Sequence, residues 1–123
     1  SYLVHGWSGD IYQAQDENDK VAYAIPKEGT SVFVDVMCVP KSAPHPKNAA
    51  RFMNHVLEPK VAAAIATYVS YGTPVPAAKE LLPKEQLEDP GIYPPESTKL
   101  HVVTLTGPQI QKWQQTFDAV ISG

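Results

Sequence analysis

A chain of 123 residues with 43% apolar and 19% charged side chains, ten Lys and Arg against thirteen Asp and Glu, is long enough to bury a real core as one domain's worth of polypeptide. Its formal charge of −3 comes with no basic stripe, which argues against nucleic-acid binding, because phosphates need clustered Lys and Arg. The longest uncharged apolar stretch, Val61 to Val69, is about half of a bilayer span, so no membrane helix is expected.

In chain order, Leu3 to Trp7 reads as a short strand, and Ser8-Gly9-Asp10 has the side chains expected to open a helix running through Gln15. Asp16 to Lys20 is a charged break before a second strand at Val21 to Ile25. The polar connector from Pro26 to Thr30 leads into Ser31 to Val39, the strongest strand signal in the chain. Beyond the loop ending at Pro46, Ala49, Phe52, Met53 and Val56 recur at helical spacing up to Pro59. A further helix from Pro59 is expected to bury Val61, Ile65 and Val69, with Tyr71-Gly72-Thr73-Pro74 closing it. A short helix around Ala77 to Leu82, a loop carrying Pro90-Gly91 and Pro94-Pro95, and a strand at Leu100 to Leu105 follow. Last comes a helix opened by Pro108, in which Ile110, Trp113, Phe117, Val120 and Ile121 share a face; this stripe and the one at residues 49 to 56 read as core. Twelve prolines, roughly twice the usual share of about 5%, are spread between these segments as punctuation. Strands alternating with helices predict an α/β architecture.

The familiar catalytic signatures are absent: no Gly-rich phosphate loop, no His-Glu-x-x-His and no Cys-x-x-Cys. Gly6-Trp7-Ser8-Gly9-Asp10 has Asp10 where a nucleophile elbow needs its second glycine. The four histidines have no metal-ligand spacing, and the single Cys38 cannot form an internal disulfide, so no metal or other cofactor is expected. No basic-then-apolar leader follows Ser1, so a targeting segment is not expected within this sequence.

Asp35 is the informative position, a lone carboxylate inside Val32 to Val39. On a strand it shares a face with Phe33 and Met37, and a buried carboxylate is costly unless a cation sits beside it. The plain alternatives are a salt bridge to one of the chain's own bases or a strand end that reaches water; the functional one is a ligand ammonium whose methylenes Phe33 covers. Trp7 and Asp10 form a second aromatic-carboxylate pair, although Asp10 would also complement a helix dipole and Trp7 would also serve as core. Two such pairs suit a small aliphatic polycation, with anions at its ends and flat apolar walls along its carbon chain. Tyr71, just past a helix in a Gly/Pro turn, is a third candidate for a cleft, with packing as its plain alternative.

Taken together, the ordered segments Trp7-Ser8-Gly9-Asp10, Ile25-Pro26-Lys27-Glu28-Gly29, Phe33-Val34-Asp35, Pro46 to Asn54, Tyr71 to Ala78 and Ile92-Tyr93-Pro94-Pro95 resemble the C-terminal part of the spermidine/putrescine-binding proteins, the extracytoplasmic receptors of bacterial polyamine ABC importers. The resemblance spans nearly the whole chain. It implies a periplasmic-binding-protein-like α/β fold with portions of two lobes joined by hinge crossings: residues 1–30 part of lobe two with a hinge strand, 31–78 part of lobe one, and 79–123 a return to lobe two. It implies a periplasmic, non-catalytic protein that binds putrescine or spermidine through Trp7, Asp10, Phe33, Asp35 and Tyr71 and delivers it to an ABC permease in the membrane. Other ligands of the same fold are another organic cation, or ferric iron held by tyrosine oxygens, for which Tyr68 and Tyr71 are the close pair. Other classes are an enzyme using Asp10 or Asp35 as a general base, for which no nucleophile or second activating group lies nearby, and a sensory or partner-binding fragment. Members of that family are much longer. The chain is therefore expected to be incomplete alone, and to need the N-terminal portion as a complementary chain, or self-association, to cover its apolar surface.

Overall fold

A computed structural model describes residues 3–122. Helix α1 (Ser8–Glu17) comes first, then strand β1 (Thr30–Val32), helices α2 (Pro46–Val56), α3 (Pro59–Val69), α4 (Pro76–Lys79) and α5 (Lys84–Glu88), strand β2 (Leu100–Val102), and helix α6 (Gly107–Ser122).

Prolines punctuate this order as expected. Pro46, Pro59 and Pro76 each stand at a helix start, where the missing N–H has no intrahelical partner to lose, and Pro83 is the residue before α5. α1 opens at Ser8, within the expected Ser8-Gly9-Asp10 segment, with Trp7 as its cap and no side chain bonded to the free N–H groups; it runs two residues past Gln15. α5 has no counterpart among the expected elements.

Helix α3 is the hub, with α1, α2 and α4 packed on it. Its buried side chains are Ala62, Ala63 and Ala66, and with Ala78 and Leu82 they form the core. The expected Val61, Ile65 and Val69 are not in it: α4 approaches on the alanine face, where small side chains allow close contact, and Ile65 stays exposed. α3 ends at Val69, and the chain turns at Ser70, whose φ of 56° lies in the left-handed region, one residue before Tyr71.

The sheet of the described residues is a parallel pair, Thr30 opposite Leu100 and Val32 opposite Val102. Gly29 opens it with φ 106°; a Cβ there would stand 2.7 Å from Cβ of Lys99, whose carbonyl accepts from Thr30 N–H at 3.0 Å. Expected strands at Leu3 to Trp7 and Val21 to Ile25 form no ladder, Ser31 to Val39 is paired only to Val32, and Leu100 to Leu105 only to Val102. A β-rich sequence makes a strand only where a neighbour accepts and donates, and none of the described residues does so beyond the ladder.

The α6 stripe read as core lies open, whereas on α2 Ala49, Met53 and Val56 are partly buried. On α6, Trp113 is 62% and Phe117 60% exposed, with Ile110, Val120 and Ile121 equally uncovered, and Phe52 on α2 is exposed as well. The chain's accessible surface is 10501 Å², against roughly 6,500 Å² for a compact domain of this mass.

Candidate functional site

Three of the five expected ligand residues line one groove. Phe33, Asp35 and Tyr71 face a space of about 460 Å³, together with Ser8, Tyr23, Ile92 and Pro94, which is within the usual range for a small-molecule site of roughly 300 to 1,000 Å³. Trp7 and Asp10 do not line it but stand next to it: Trp7 caps α1 beside Ser8, and Asp10 lies in the first turn.

Tyr71 ties the two carboxylates together. Partial burial is the main reason its hydroxyl is held above the ordinary tyrosine range; the charge of Asp10 adds to this and that of Asp35 adds less, while the backbone N–H groups of Gly9 and Asp10 oppose them. Tyr71 therefore meets the groove as a neutral phenol lying near both carboxylates. Its position is fixed from two sides. The turn at Ser70 directs it toward α1, and the following loop is anchored where Thr73 N–H donates to the Tyr93 hydroxyl at 3.1 Å and Val75 N–H to Thr73 Oγ1 at 3.2 Å.

Asp35 takes the plainer of its expected alternatives, a strand end that reaches water. The ladder ends at Val32, so Asp35 is exposed and not buried on a strand face. Among the described residues neither Asp10 nor Asp35 forms an ion pair with Lys, Arg or His; the pairs present are His55 with Glu58 and Lys84 with Glu88. The internal salt bridge considered for Asp35 is not formed.

Sequence reasoning missed Gly9, Tyr23 and the Ile92 to Pro94 wall. Gly9 is buried, and a Cβ on it would stand 2.5 Å from the Val69 carbonyl oxygen and 2.6 Å from Cδ2 of Tyr71. Tyr68 lies on a different surface, beside Lys60, Ala64 and Leu81, so the two close tyrosines do not share a groove. No group of three or more His, Cys, Asp or Glu among the described residues could hold a metal. A larger cavity of about 720 Å³ lies under Tyr12, Tyr23 and the 97–99 segment; its acid, Asp89, already accepts from Tyr12 and from Gly91 N–H, whereas the smaller groove offers unpaired carboxylate.

Comparison with known proteins decides the class. Residues 1–95 match the bacterial extracellular solute-binding protein family. This chain belongs to that family. Its fold is that of part of a periplasmic binding protein. It is 38% identical over 106 residues to the putrescine-binding periplasmic protein PotF of Escherichia coli, a match covering 81% of this chain and 29% of that one. It is 35% identical over 88 residues to the spermidine/putrescine-binding periplasmic protein 1 of Haemophilus influenzae, covering 72% of this chain and 24% of the relative. Among solved structures, a spermidine/putrescine ABC transporter protein from Listeria monocytogenes superposes with a TM-score of 0.76 at 34% identity, over 89% of this chain and 35% of the other. The chain thus spans about a third or less of the length of the relatives it matches.

Proposed function

We propose that this chain supplies the polyamine-contacting portion of a periplasmic receptor that binds putrescine or spermidine and hands it to an ABC permease. One observation carries the reading: Phe33, Asp35 and Tyr71 line a single groove, with Asp10 at the edge of Tyr71 and, among the described residues, no internal base on either carboxylate. Unpaired carboxylates beside aromatic faces suit an alkylammonium, which takes charge-assisted hydrogen bonds at its nitrogen and apolar or cation–π contact along its methylenes. The putrescine- and spermidine/putrescine-binding relatives support the same ligand class. Trp7 is assigned to the rim of the groove next to Ser8, and residues 1–30 and 79–123 to one lobe against 31–78.

The uncovered stripe of α6 and the exposed Val34, Val36 and Met37 belong, in this proposal, against a complementary polypeptide portion of the receptor. The test is calorimetric titration of the assembled receptor with each amine beside Asp35→Asn. Loss of a charged hydrogen bond of about 1.5 to 3 kcal/mol predicts roughly ten- to hundredfold weaker binding. Wild-type assembly that binds neither amine removes polyamine as the ligand and moves a sensory or partner-binding role ahead.

A further inference from the structure

We propose that Gly9 is a positioning residue for amine binding: by lacking a Cβ it admits the Tyr71 ring onto the first turn of α1, which carries Asp10, while Tyr71 shares its groove with Asp35. The inference rests on the polyamine reading for its affinity arm only.

These three side chains come from elements with no local reason to meet. Asp10 rides on α1, Asp35 follows β1, and Tyr71 follows α3. Between α1 and Tyr71 there is no room for another carbon. A Cβ on Gly9 would fall 2.6 Å from Cδ2 of the ring, closer still to Cε2, and 2.5 Å from the Val69 carbonyl oxygen. The ring is a poor candidate to yield. Ser70, already in the left-handed region, leaves it little backbone freedom, and the 73 to 75 loop behind it is tied to Tyr93. The added methyl would therefore lift Tyr71 away from α1 and separate the two carboxylates' shared neighbour from Asp10.

The chemistry explains why this contact matters for a cation. The phenol, kept neutral by burial beside Asp10 and Asp35, offers its proton to a carboxylate. Such a bond orients the carboxylate and leaves its other lone pairs for the ligand's ammonium. Losing that arrangement leaves the charges present but misaligned.

The experiment is a double-mutant cycle on the assembled receptor with Gly9→Ala, Tyr71→Ala and the pair, read by putrescine and spermidine affinity and separately by urea denaturation. Each single variant is expected to weaken amine binding about tenfold or more, and the pair no more than either alone. Stability behaves differently: Gly9→Ala remains destabilising in the Tyr71→Ala background, because the Val69 carbonyl still obstructs the methyl. Affinity losses that multiply, or a folded Gly9→Ala receptor with unchanged affinity, overturn the proposal. A ligand-free arm separates it from the polyamine reading: the Tyr71 ring resonance, assigned with Tyr71→Phe, is expected to titrate at lower pH in Gly9→Ala, nearer an ordinary tyrosine. If wild type binds neither amine, an unchanged Tyr71 titration overturns the positioning role and a lowered one sustains it.

Discussion

Tyr12 donates its hydroxyl proton to Asp89 Oδ1 at 2.5 Å, and its ring meets Tyr23 at 5.8 Å between centroids with a 50° tilt. Burial foremost, then the hydrogen bond and the charge of Asp89, hold its ionisation above the ordinary value of 10.0. A folded-state value raised above the unfolded one means that the native state keeps a proton the unfolded chain releases. This stabilisation is fully present below about pH 10 and is lost as the pH rises beyond it, and Tyr71 acts with the same sign. Urea midpoints of the assembled receptor between pH 8 and 11 are expected to fall with pH, and less steeply in Tyr12→Phe. At neutral pH that variant should cost about 1 to 2 kcal/mol, because Asp89 retains the bond from Gly91 N–H. Asp35 was legible in the sequence because a carboxylate interrupts an apolar run. Gly9 was not, since its requirement comes from a ring contributed by a distant turn.

Helix starts were legible because proline acts locally, and α2 and α3 fall where their prolines put them. Strand extents were not, because a ladder depends on a neighbour that no local pattern reveals; Val34 and Val36 have strand-forming side chains and no partner among the described residues. Two backbone positions give tests at this scale. Ser70 occupies a left-handed cap that glycine adopts without Cβ strain. Ser70→Gly is expected to raise stability by about 0.5 to 1 kcal/mol in denaturant unfolding. Gly29→Ala does the reverse: it places a methyl against Lys99 at a φ of 106°, and about 1 to 3 kcal/mol should be lost.

At the scale of the molecule, a core of four alanines and Leu82 is small for this length, and surface that a compact domain would hide remains open along α6. Tryptophan emission tests the proposed covering. In a Trp7→Phe background, Trp113 is expected to shift to shorter wavelength when the complementary portion is added, and Ile110→Glu to abolish that shift by charging the same stripe. A cooperative monomer formed by this chain alone would refute the need for a partner. The α/β class and the α6 periodicity were readable in advance, but the stripe's assignment to a core was not, because periodicity shows which face is apolar and never what covers it.

The parallel ladder has a consequence for the order of events. Every core side chain belongs to the stretch between Val32 and Leu100, and β1 against β2 draws its two ends together. Closing so long a loop costs entropy that three ladder residues return poorly, whereas α3 and α4 are near neighbours in sequence. The helices should therefore assemble early and the ladder late. Amide protons of Thr30 to Val32 and Leu100 to Val102 should accordingly be among the last protected in pulsed hydrogen exchange, which makes the strand pair a clock for the completion of folding.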